Sequence, residues 1–252
     1  MGENLPPQEA KTGGRPASAN PALALIFAIV VFLAAMAFQM LWSSPAKAEV
    51  QKGQLVEKDW DFAAGEPLNL TGEWQVIWGK IVSPAEFDAQ YEGDYFSIPS
   101  RWNEVEHPAM NGAYGVATFR VQLELPDYQK DLSFHQISPH SAWRLYANGI
   151  DIGGNGIVSD QPSQHRSHYT SRIFSASPGK SELVLQISNY SHAYGGPGHP
   201  PTIWDSKALS QTLGSLSLYY SVVLGVLFAI GMFHLIFYLA DRKHREQGPM
   251  HL

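Results

Sequence analysis

Hydrophobic positions along the chain fall into two long runs with a series of short alternating stretches between them. The first run covers residues 21–42, with Gln39 its only strongly polar member, and the second covers 216–240 and stops at Asp241-Arg242-Lys243-His244-Arg245. About 20 helical residues cross a hydrocarbon core about 30 Å thick, so each run predicts a membrane helix. Residues 50–212 contain no other run of that length. They predict one water-facing domain hung between two membrane segments.

Within that domain the period is that of strands. Gly72-Glu73-Trp74-Gln75-Val76-Ile77-Trp78 is aromatic and β-branched, and residues 117–125 alternate apolar and polar before Pro126, the mark of a half-buried strand. Leu132-Ser133-Phe134-His135-Gln136-Ile137 repeats the pattern. Trp143-Arg144-Leu145-Tyr146-Ala147 runs into Asn148-Gly149, a hairpin signal because both residues tolerate positive φ, and Ile150-Asp151-Ile152 returns. On this strand Trp143 and Tyr146 are expected to share one face, opposite Arg144. Residues 182–188 form another strand after the Pro178-Gly179 turn, and no stretch of the domain has a long helical period. Six or more short strands at regular spacing predict an all-β fold, a β-sandwich flanked by two hydrophobic helices.

Composition narrows the setting. The chain has 252 residues, a net charge of −6 and no cysteine, which excludes disulfides and thiolate metal sites and fits an exported domain stabilised by its core. No basic tract points to nucleic acid. Lys11 and Arg15 precede the first run, and Arg242, Lys243 and Arg245 follow the second. Basic flanks favour the cytoplasmic side, so both tails are expected inside the cell membrane and the domain outside it. Residues 1–20 lack an apolar pattern and read as a disordered tail. Ala46-Lys47-Ala48 resembles a signal-peptidase site, so the first run is either a signal peptide cleaved after Ala48 or a signal anchor.

The order of motifs adds a resemblance. Gly72-Glu73-Trp74, Ile98-Pro99-Ser100-Arg101-Trp102, residues 112–120, residues 142–149 and Leu185-Gln186-Ile187-Ser188-Asn189 occur in succession, followed by a membrane run at 216–240. This order resembles the jelly-roll extracellular domain of bacterial seven-transmembrane receptors with diverse intracellular signalling modules (7TMR-DISM), joined to the first helix of their bundle. It is more distantly similar to the sugar-binding jelly roll of β-galactosidase-type glycoside hydrolases. The resemblance implies a galactose-binding-like sandwich that senses a small molecule, carbohydrate among the candidates, and that contacts the membrane and other envelope or receptor proteins. Family members continue through six more helices into a cytoplasmic effector, whereas this sequence ends twelve residues after Ala240. Two readings follow: a truncated receptor, or a stand-alone surface module that binds carbohydrate or protein.

Catalytic signatures are missing from the sequence. His165-Arg166-Ser167-His168, His192 and His199 have no Cys or carboxylate at zinc-ligand spacing and are expected to be exposed loop histidines. Gly153-Gly154-Asn155-Gly156 lacks the Lys-Ser/Thr of a phosphate loop and reads as a turn leaving a hairpin. No nucleophile elbow occurs, no cofactor motif is found, and the expectation is a non-enzyme. His234, inside the second run, is expected at a helix–helix contact. Sugars are held by aromatic faces and orienting polar groups, for which Trp102, Tyr114, Trp143, Arg144, Arg166, Tyr194 and Trp204 are the available types. Trp74, Trp78 and Trp102 are expected in the core, and Arg120 is expected to pair with a carboxylate. The loop Asn189-Tyr190-Ser191-His192-Ala193-Tyr194-Gly195-Gly196 is polar, aromatic and Gly-rich. The candidate ligand-binding residues are therefore Arg144, Arg166, Asn189, His192 and Tyr194.

Overall fold

A computed structural model describes residues 48–137 and 139–246, together with Phe27, Ala28, Val31, Phe32 and Ala35. The chain divides into two compact units, Met1–Pro45 and Ala46–Leu252. In the first, the five described residues are helical. The expected tail at 1–20, the rest of the first apolar run, and residues 247–252 lie outside the described residues.

The second unit contains two β-sheets. The larger has the order β4-β3-β5-β10-β7-β8, with β1 beside β5; the smaller has the order β2-β11-β6-β9. The strands are β1 Gln54–Val56, β2 Leu68–Asn69, β3 Gly72–Trp78, β4 Tyr95–Ile98, β5 Gly115–Glu124, β6 Leu132–Gln136, β7 Ala142–Ala147, β8 Ile150–Asn155, β9 Arg172–Ala176, β10 Lys180–Asn189 and β11 Thr202–Asp205. Neighbours are antiparallel except β1, which runs parallel to β5. Every strand expected from the alternation is present. At the β7–β8 hairpin, Asn148 and Gly149 both take positive φ, 49° and 76°, as the turn requires. Strand β9 was not expected: Arg172 to Ala176 holds only two large apolar residues, and its edge position leaves Ile173 exposed.

The inner faces meet in one core. Phe119, Trp143, Leu145, Leu185 and Ile187 of the larger sheet pack with Phe134, Ile203 and Leu68 of the smaller. Trp74, Trp78 and Trp102 belong to this core, as the sequence predicts. Trp143 joins them, its ring 6.1 Å from Phe174 across the sandwich. Tyr146 does not share its face. It packs on the outer side with Ile77, Val82, Phe87 and Val184, so residues three apart lie on opposite faces, as the strand period of two demands.

Strand β5 departs from the half-buried expectation. Its outer-face residues Thr118 and Arg120 are as buried as its inner ones. The segment that includes the short helix α1 (Phe87–Gln90) folds across them. Val82 N–H donates to Thr118 Oγ1 (3.0 Å), Gln186 Nε2 donates to Val82 O (2.9 Å), and Arg120 lies 4.2 Å over the Phe87 ring. Arg120 also donates to Gln75 Oε1 (2.7 Å) and Asp88 Oδ1 (2.6 Å), the carboxylate pairing expected of it. The Gly153-Gly154-Asn155-Gly156 turn is likewise corrected. Gly153, Gly154 and Asn155 end strand β8, and a Cβ on Gly154 would overlap the Trp143 carbonyl. Alternating side chains are absent there, so the sequence looks like a turn although the backbone is a strand.

The long helix α2, Ser206–Glu246, is long and apolar enough to cross a membrane, and none of its most apolar stretch is buried. It begins ten residues before the apolar run at 216, with no separate linker after β11. Asp205 ends β11 and caps the helix, its Oδ1 accepting from Ala208 N–H (2.8 Å) and its Oδ2 from Tyr128 (2.9 Å). Ser206 N–H donates to Asp131 O (2.9 Å), the hydroxyls of Ser206 and Ser133 are 2.7 Å apart, and Leu209 is buried. Trp204, a ligand candidate by type, is half-buried on β11, donating to Thr202 Oγ1 (2.8 Å).

Candidate functional site

The loop that follows β10 is built from the inside outward. Asn189 is fully buried. Its amide donates to the carbonyls of Ala113 (2.8 Å) and His192 (2.9 Å), and its Oδ1 accepts from His192 N–H (3.1 Å). Asn103 clamps the same loop from the other side, donating to Ala193 O (2.8 Å) and accepting from Gly195 N–H (3.0 Å). Trp102 N–H donates to Gly195 O (3.1 Å), and its indole donates to Ala113 O (2.9 Å). A Cβ at position 195 would overlap that indole, so the loop needs glycine there to lie against Trp102. Asn189 is thus a structural clamp and not a group offered to a ligand. Trp102, another candidate by type, is the wall that the loop leans on.

What the loop presents outward is His192, Tyr194 and, further on, His199. These line a cavity of about 320 Å³ with Arg101, Pro139, His140 and three glycines, 195, 196 and 198. The rings form a column. Tyr169 and His140 are 4.7 Å apart and 8° from parallel, His140 and His192 4.6 Å and 14°, and His192 and Tyr194 5.7 Å and 54°. The Arg101 guanidinium sits 3.8 Å over Tyr194. His192 Nδ1 lies 3.1 Å from Tyr194 N and 3.2 Å from Tyr194 O, which ties the ring to the loop backbone. Loss of hydration holds His140 below the ordinary histidine value of 6.5, and the positive neighbours His192, His199 and Arg101 add to it.

A second loop backs the first. His165 is 5 % exposed, its Nδ1 2.9 Å from Ser188 Oγ and its ring against Tyr190. The expectation of four exposed histidines therefore fails for His165. A strand-end serine offers it a buried partner that sequence spacing does not show. Burial, then Arg166, lowers its pKa from 6.5. No group of three metal-binding side chains occurs among the described residues. The stacked His140 and His192 could not converge on one ion, because ring-nitrogen lone pairs lie in the ring planes and these planes are nearly parallel.

Of the five expected residues, only His192 and Tyr194 line the cavity. Arg166 turns its guanidinium onto its own loop, donating to the carbonyls of Ser163 (2.9 Å) and His165 (2.7 Å). Arg144 stands on the outer face of the larger sheet, 3.3 Å from Asp151. Arg101, His140 and Tyr169 were missed. They lie in three other loops, and no local motif marks them; only the fold brings them together.

No protein-family model matches this chain, and no curated protein does. Among solved structures the chain is similar to a Faecalibacterium prausnitzii β-glucuronidase (13% identity, TM-score 0.44, 55% of this chain and 31% of that one). It is also similar to a β-glucuronidase from an uncultured Clostridium (14%, 0.42, 55% and 28%) and to a putative β-galactosidase from Bacteroides fragilis (16%, 0.40, 55% and 23%). The chain thus matches less than a third of the length of each enzyme. At this level of likeness their activities do not extend to it.

Proposed function

We propose that the chain is the sensory part of a membrane receptor of the 7TMR-DISM kind. In this reading an extracytoplasmic jelly-roll, galactose-binding-like domain takes up a small ligand without transforming it. Ligand-induced displacement of the domain then passes into helix α2. The observation that carries the reading is the junction. Asp205 belongs to β11 and caps the helix, Ser206 is tied to β6 and to Asp131, and Leu209 is buried against the domain. A cap and a first turn pinned through Ser206 and Leu209 leave no separate linker between sheet and helix, which supports transmission over a tether. The helix is about 60 Å long at 1.5 Å per residue, enough to cross about 30 Å of hydrocarbon with length to spare on both sides.

The test is a distance. The chain lacks cysteine, so nitroxides at Ser175→Cys and Gln211→Cys in the full chain in lipid nanodiscs report the pose of helix against sandwich. A single narrow distribution is expected. A broad one would mean that the domain swings freely on an anchor, and the stand-alone module would replace the receptor reading.

A further inference from the structure

The lining of the cavity beside the loop after β10 is one-sided in charge. Arg101, His140, His192 and His199 converge on it, Tyr194 forms one wall and Tyr169 stands behind His140; none of its lining residues is a carboxylate. A site holding one fixed cation and three titratable ones, with no counter-charge of its own, attracts anions. Its backbone is already clamped by Asn189, Asn103 and Trp102, so little order has to be gained on binding. A cavity of about 320 Å³ is small-molecule size. Flat rings at its rim, Tyr194 under Arg101 and the imidazoles in their column, suit a ligand with an apolar face beside its charge.

We propose that this cavity binds a small organic carboxylate, held by the Arg101 guanidinium and by the imidazoles of His140, His192 and His199. The proposal rests on the sensory reading only for its biological use; the binding stands or falls by itself. Like charges on rings stacked at 4.6 Å repel, and an anion at the edge of the stack relieves that repulsion. An anion bound there offsets the positive neighbours that help hold His140 below 6.5, so binding favours proton uptake at His140. Affinity rises as pH falls below 6.5, by up to about tenfold per pH unit for the proton that His140 takes up. A monocarboxylate such as benzoate itself stays ionised above about pH 5.

The experiment uses the full chain in neutral detergent, with benzoate and citrate as probes, benzamide as the uncharged control and sodium chloride matching the ionic strength. Binding is read by thermal shift and calorimetry at pH 7.5 and 5.5. At least one carboxylate is expected to bind more than tenfold tighter at pH 5.5 than at pH 7.5. Arg101→Gln and His192→Gln should each weaken it at least fivefold, while Arg144→Gln, outside the cavity, leaves it unchanged. Inorganic phosphate binding as well as the carboxylates would overturn the choice of ligand class. Absence of binding by the folded protein at pH 5.5, binding indifferent to pH, or equal losses in Arg144→Gln would overturn the site. Should Arg101→Gln fail to give a cooperative melt, His199→Gln takes its place with the same expectation. A narrow nitroxide distance with no carboxylate binding would leave the receptor reading standing and sink this one.

Discussion

Replacing Asn189 by leucine separates a structural role from a ligand-binding one. The side chain is fully buried at the end of β10 and makes three well-formed bonds: amide to Ala113 O and His192 O, and Oδ1 from His192 N–H, at 2.8, 2.9 and 3.1 Å. Leucine nearly matches the shape and removes all three. At a net of about 1 kcal/mol per bond the loss is about 3 kcal/mol, and it grows where a stranded carbonyl stays dry. For a domain of this size that lowers the melting temperature by roughly 6–12 °C. Intrinsic tryptophan fluorescence on heating the full chain reads it directly, since Trp102 sits against the clamped loop. His192→Leu, which leaves the buried clamp in place, should shift the midpoint by no more than about 2 °C, as substitutions at accessible positions do. A cooperative melt for Asn189→Leu within 2 °C of the parent would refute the clamp. The loop would then be held by Asn103 and Trp102 alone, and Asn189 would be free to serve a ligand.

Two further outcomes follow from buried charge. Arg120→Ala removes the bonds to Gln75 and Asp88 and the cover over Phe87; the Asp88 bond counts little because that carboxylate is largely exposed. A loss of about 2–3 kcal/mol in urea unfolding is expected, with Arg120→Met recovering part of it through its apolar stem; a loss under 1 kcal/mol would show the outer cover to be dispensable. His135, His140 and His165 are all held below 6.5, chiefly by burial, so the unfolded chain binds more protons than the folded one as pH drops below 6.5. Their contribution is complete above that pH and is lost as pH falls toward the folded values, so the melting temperature should decline from pH 7 to pH 5 without added carboxylate. A melting temperature that instead rose as pH fell from 7 to 5 would contradict the loss of hydration at these rings.

The sequence was most legible where one residue's neighbours decide its role. Alternation placed β3, β5, β6, β7, β8 and β10, Asn148-Gly149 announced the hairpin turn, and an unbroken apolar run announced the helix at 216–240. These are local properties of backbone sterics and side-chain period, readable without knowing what lies opposite. Trp74, Trp78 and Trp102 were legible as core for the same reason, as large apolar side chains in the strand and turn segments of a sandwich, whereas Trp143, a ligand candidate by type, proved to be core as well.

Only the tertiary structure decided the rest. Arg120 lies on a strand face that period alone leaves to solvent, and it is buried because a segment around thirty residues earlier in the chain folds across it. Asn189 and His192 are three residues apart in one polar loop, yet one is a clamp and the other lines the cavity, according to which side of the loop meets Ala113 and Trp102. Arg101, His140 and His199 share a cavity across nearly a hundred residues of chain, a convergence that strand order creates and composition cannot encode. The helix begins at Ser206 because Asp205, fixed in a sheet, is positioned to cap it; hydropathy alone starts it ten residues later. Period and hydropathy report what each segment can bury. Which segment buries it, and which polar groups are left facing a common space, is a property of the packed sandwich.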